Sequence, residues 1–110
     1  MGKPDVLLRL NGSAICAGVE RMIVPQGGAH VRAAEIRIPA AFTQRPTVTA
    51  TCHARSGPGT IGAVFGVFNI KVNRLSDDET QVAIQATNVQ SGVPVEGDFD
   101  CDYVIIGELA

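Results

Sequence analysis

The run Glu96-Gly97-Asp98-Phe99-Asp100-Cys101-Asp102 is the densest concentration of reactive side chains in the 110-residue sequence. Read as extended backbone, it lines Glu96, Asp98, Asp100 and Asp102 along one face with about 7 Å between neighbours. Calcium and other hard cations take oxygen ligands. A straight strand spaces its carboxylates too widely to converge on one ion, however, and the calcium-loop pattern with its Gly and closing Glu is absent. The run therefore reads as a solvated strand edge that discourages aberrant pairing, and no metal is expected. Three cysteines, Cys16, Cys52 and Cys101, are odd in number, which rules out a complete intrachain disulfide framework. Cys52 and Cys101 both fall on expected inward faces, which leaves two readings open, core thiols or a disulfide between them. Zinc would need closely spaced ligand pairs. His30 and His53 do not supply them, and His53 points to the strand face opposite its neighbour Cys52.

Catalysis finds no support in the remaining residues. No nucleophile stands beside a base, and the glycine-rich stretch Ser56-Gly57-Pro58-Gly59-Thr60-Ile61-Gly62 has neither phosphate-binding spacing nor a following helix to present its amides. It reads as a hairpin loop, free to carry recognition. His53 and Arg55, on one outward strand face leading into that loop, are candidate ligand contacts, as is His30. The expectation is a protein that is not an enzyme and needs no cofactor.

The elements that must position these residues are strands. Residues 46 to 53 alternate Val48, Ala50 and Cys52 against Thr47, Thr49, Thr51 and His53. Residues 80 to 87 alternate Val82, Ile84 and Ala86 against Gln81, Ala83, Gln85 and Thr87, and residues 34 to 38 set Ala34, Ile36 and Ile38 against Glu35 and Arg37. Residues 64 to 73 set Val64, Gly66, Phe68, Ile70 and Val72 inward against Phe65, Val67, Asn69, Lys71 and Asn73. Turn residues separate these patterns at Gln26-Gly27-Gly28, Ser56-Gly57-Pro58-Gly59, Leu75-Ser76-Asp77-Asp78 and Gln90 to Pro94, a spacing that suits a meander or Greek key. Before Gly27 there are shorter β-like pieces at Val6 to Leu10, Ala14 to Ala17 and Met22 to Val24, broken by Asn11-Gly12 and Gly18. The expected organisation is an N-terminal arm or extra hairpin over residues 1 to 26 and an antiparallel sandwich over residues 27 to 110. In the last strand, Tyr103-Val104-Ile105-Ile106 is apolar on both faces, so the second face must meet either a neighbouring subunit or the folded-over N-terminal arm.

Composition narrows the function classes further. The chain is 45% hydrophobic and 18% charged, which excludes intrinsic disorder, and no apolar run approaches the roughly 18 residues of a membrane-spanning helix. A net charge of −2 with scattered basic residues gives no electrostatic footprint for nucleic acid. Met-Gly-Lys-Pro-Asp at the N-terminus lacks the apolar core of a secretory signal, so export by that route is not expected.

Residues 36 to 50, with Ile38, Phe42, Pro46 and Val48 in an apolar strand, a Phe-containing turn and a Pro opening the next strand, resemble the motif of H-type lectin domains. Ala86-Thr87-Asn88-Val89 and Tyr103-Val104-Ile105-Ile106-Gly107-Glu108 resemble that family's last two strands, and the likeness spans roughly residues 31 to 108. It implies an all-β, six-stranded antiparallel sandwich. It also implies a homotrimer, sometimes doubled to a hexamer, with carbohydrate bound at subunit boundaries, as in lectins or at the tips of bacteriophage tail fibres. Asn69 and Lys71 occupy the polar strand face where the family often carries a ligand-contacting Arg. The expected ligand contacts are thus Asn69, Lys71, Asn73, His53 and Arg55, and the expected setting is extracellular or virion-associated. The alternative is a structural trimerisation or capping domain that binds nothing small.

Overall fold

Asn11 and Gly12 both take positive φ, 51° and 81°, and so form the two-residue turn whose twist matches that of the strands on either side. The computed structural model describes residues 2–23, 31–56, 65–88 and 98–110. The turns beginning at Gln26 and Gln90, the glycine-rich loop after Ser56, and His30, Val64 and Glu96 lie outside the described residues. All elements among the described residues are strands: β1 (Val6–Leu10), β2 (Ser13–Arg21), β3 (Val31–Ile38), β4 (Thr47–Ser56), β5 (Phe65–Ser76), β6 (Glu79–Asn88) and β7 (Asp98–Glu108). They form an antiparallel four-stranded sheet in the order β1-β2-β7-β4 and an antiparallel three-stranded sheet in the order β3-β6-β5. The expected six strands are therefore exceeded, with seven among the described residues. One reason is that the β1–β2 hairpin extends the sheet beyond β7.

The two sheets meet because their strands alternate. Cys16, Phe99, Cys101, Tyr103 and Ile105 from the four-stranded sheet pack in one buried cluster with Ala34, Ile36, Ile38, Val82, Ile84 and Ala86 from the other. Val48, Ala50 and Cys52 on β4 and Ile70 and Val72 on β5 are only partly buried against it, as befits strands at the sheet edges. The alternation expected for β5 needs one correction. A bulge at Phe68 lets Val67 pair with Ala86 and Asn69 with Gln85, so Val67, expected outward, packs on the core instead. Downstream of the bulge, Asn69, Lys71 and Asn73 face outward as expected. The β3–β4 connection closes one end of the sandwich. Phe42 bridges to Leu109, Thr80 Oγ1 donates to the Ala40 carbonyl at 2.7 Å, and a Cβ on Gly107 would stand 2.6 Å from the Phe42 ring.

Tyr103 carries a buried hydroxyl with no hydrogen-bond partner among the described residues. Burial, reinforced by the nearby carboxylates of Asp5 and Glu20, pushes its phenol well above the ordinary value of 10.0. An unfolded chain gives up that proton first. The associated stability is thus complete below about pH 10 and falls as the pH rises beyond it. Tyr103→Phe removes an unsatisfied buried oxygen and should leave stability at neutral pH within about 1 kcal/mol of wild type, or above it. It should also remove the tyrosine's share of the alkaline loss and leave the share of Cys16 and Cys101, whose thiols are likewise pushed up. Urea melts at neutral and alkaline pH check both. A neutral-pH loss above about 2 kcal/mol would mean that the hydroxyl has a partner after all.

Candidate functional site

The two outer faces of the sandwich differ in chemistry, and strand register decides which residues share each. On the three-stranded sheet, Gln85 lies between Ala33 and Asn69, Ala83 between Glu35 and Lys71, and Gln81 between Arg37 and Asn73. Asn69 Nδ2 donates to Gln85 Oε1 at 2.9 Å, and Arg37 Nε lies 3.2 Å from Glu79 Oε2. The result is a field of primary amides bordered by the Arg37–Glu79 ion pair. Each amide offers two N–H donors and a carbonyl acceptor, a set suited to ligands that carry many hydroxyl groups. On the inner side of the free edge of β5, away from this field, a cleft of about 370 Å³ is lined by Phe42, Arg45, Ile70, Val72, Arg74 and Thr80. Arg45 reaches across to donate to the Ile70 carbonyl at 2.8 Å, which covers one acceptor of that edge.

The outer face of the four-stranded sheet is apolar across β1, the middle of β2 and the part of β7 at Val104 and Ile106. Val6, Leu8 and Leu10 on β1, Val19 on β2, and Val104 and Ile106 on β7 are each 40–62% exposed. Register brings Ile15 between Leu8 and Ile106, and Ala17 between Val6 and Val104, so the exposed side chains are contiguous. A shallow depression of about 380 Å³ runs from Val6 past Ala17, Val19 and Val104 to Thr49 and Thr51 on β4. The β1–β2 hairpin lies beside β7 in the same sheet and does not fold over it. It enlarges the apolar surface that Val104 and Ile106 begin. The polar end of this face belongs to His53, whose Nε2 stands 3.2 Å from the Asp102 carboxylate. Both partners are about half exposed, so the pair contributes at most about 1 kcal/mol.

Of the five expected contacts, Asn69, Lys71 and Asn73 share the amide-rich face. His53 does not join them, because β4 belongs to the other sheet and presents His53 on the opposite side of the sandwich. Arg55 sits at a register shift of β4 between Ala54 and Ser56, and its side chain lies outside the described residues. Gln81 and Gln85 complete the amide field. The alternation of β6 marked them as outward, but only the pairing of β6 with β5 sets them beside Asn69 and Asn73. Among the described residues no group of three or more His, Cys, Asp or Glu side chains could hold a metal ion, and no helix is long and apolar enough to cross a membrane. No family model, no curated protein and no solved structure matches the chain.

Proposed function

We propose that the chain is a non-catalytic binding module that acts as a homotrimer and takes a carbohydrate or another cell-surface ligand on its amide-rich face. The observation that carries this reading is the opposite character of the two outer faces. A contiguous field of half-exposed Val, Leu and Ile on one sheet is what a subunit interface requires. The other sheet offers amides and ion-paired charges that remain satisfied in water and exchange readily for sugar hydroxyls. Copies that meet through β1, β2 and β7 would turn three amide faces outward, an arrangement that multiplies weak single-site binding. The three-fold count and the sugar rest on the resemblance to H-type lectin domains, which fits a lectin, an adhesin or the tip of a phage fibre.

Light scattering and a glycan array test the proposal together. The expected mass is three times 11.5 kDa, with binding to at least one glycan class. Asn69→Ala and Gln85→Ala should each weaken that binding about tenfold, the value of roughly one hydrogen bond, while the mass stays the same. A trimer without any glycan hit assigns the chain to structural capping. A monomer overturns the assembly in both readings.

A further inference from the structure

Cys52 on β4 and Cys101 on β7 face each other directly in the antiparallel ladder, and both point inward. Directly opposed residues of such a ladder have Cα atoms about 4.5 or 5.5 Å apart, depending on the type of pair. Both separations fall within the roughly 4.4–6.8 Å range that a disulfide spans. The Cys101 thiol donates to the Asp102 carbonyl at 3.9 Å, and each of the two thiols is the strongest influence on the other's acidity. We propose that Cys52 and Cys101 are a site of reversible oxidation, closing a cross-strand disulfide between β4 and β7 by exchange with a small-molecule disulfide such as oxidised glutathione.

The two cysteines divide the work. Cys101 is fully buried, whereas Cys52 is partly exposed on the edge strand of its sheet, where a small oxidant can reach it. The neighbouring Cys101 thiol, against the opposing effect of burial and with help from His53, also favours the Cys52 thiolate over its ordinary population. Thiolate is the attacking form. Cys52 attacks one sulfur of the oxidised glutathione, forms a mixed disulfide and releases one glutathione thiolate, which takes up a proton. Cys101 then gives up its proton, attacks the Cys52 sulfur and displaces the second glutathione. The protein dithiol is oxidised to a disulfide while one oxidised glutathione becomes two reduced ones. Cys16 stands apart. It faces Ile105 and Leu7, and the residue that β2 sets opposite Cys101 is Glu20. Its thiol is fully buried, and no cysteine faces it in either ladder, so it has no partner with which to form a bridge.

The bridge would pin β4, whose only ladder partner among the described residues is β7, beside the register shift at Ala54 and Ser56. It closes a loop of about 50 residues, so the oxidised chain should melt several degrees higher than the reduced one.

The test equilibrates the folded wild-type chain across a series of oxidised-to-reduced glutathione ratios, traps free thiols with an alkylating agent under denaturing conditions, and reads intact mass and linked peptides. The expected result is a single-chain species that has lost two hydrogens and takes up one alkyl group, on Cys16. Its linked peptides contain Cys52 and Cys101, and a dithiol reductant reverses it. Cys16→Ser should behave identically with no alkyl group added, and Cys52→Ser should lose both the bridge and the rise in melting temperature. Uptake of three alkyl groups by the wild type across the whole series would overturn the proposal. So would linked peptides that involve Cys16 or join two chains.

Discussion

Ile106→Asp should dissociate the proposed assembly to a folded single chain of 11.5 kDa. Ile106 is 47% exposed on β7 and is flanked in register by Ile15 and Thr47, so within one chain a carboxylate there still meets water. Substitutions at exposed positions of this kind usually change the stability of the chain by no more than about 0.5 kcal/mol. In an assembly that buries the face, the same carboxylate lies among Val, Leu and Ile side chains with no cation to pair with it, at a cost of several kcal/mol. At about 1.4 kcal/mol per factor of ten, association should weaken by at least roughly a hundredfold. Sedimentation measures the mass and a urea melt confirms that the fold is intact. Val104→Asp, at 40% exposure on the same face, should act in the same way. If both variants keep the wild-type mass, the interface lies elsewhere, and the apolar face of β1, β2 and β7 has a different partner.

The N-terminal hairpin shows why part of this arrangement is hidden in the sequence. In β3, β4 and β6 one face is core and the other is wet, so Ile36 against Arg37, Val48 against Thr49 and Val82 against Gln81 announce both the strand and its orientation. In β1, Leu7 packs on the core while Val6, Leu8 and Leu10 face outward, and all four are apolar. Apolar outward residues of this kind erase the period-two signal where a second surface waits to be covered, which is why the first 25 residues read only as fragments. Asn11-Gly12, which breaks those fragments, is the two-residue turn that joins them as a hairpin. The bulge at Phe68 left no mark at all, since one extra residue in a strand changes spacing without changing composition. The candidate site divides in the same manner. Asn69, Lys71 and Asn73 follow one another at alternate positions of a single strand and can be found from that strand alone. Adding Gln85 or separating His53 requires knowing that β5 pairs with β6 and that β4 joins β7, and period two carries no information about which strands become neighbours.

Strand β7 lies between β2 and β4, and its inward residues form the centre of the core, so the largest expected loss of stability follows from Phe99→Ala. Phe99 is 1% exposed, and its carbonyl also accepts a hydrogen bond from the Met22 amide at 2.9 Å. The backbone bond survives the substitution. The ring does not, and its removal both forfeits the transfer of a large aromatic side chain from water and leaves a void that the strands on either side cannot close without breaking their register. The expected cost is about 3–5 kcal/mol, a large share of the roughly 5–15 kcal/mol that holds a domain folded. Because the proposed assembly would stabilise the folded chain by mass action, the comparison belongs in the Ile106→Asp background, where both chains are expected to be monomers and urea unfolding reports the domain alone. Thr49→Ala, on the exposed face of β4, serves as the control and should change the midpoint little. A loss below about 1 kcal/mol for Phe99→Ala would mean that the ring does not fill the centre of the sandwich, and the packing of β7 against β3 and β6 would have to be redrawn.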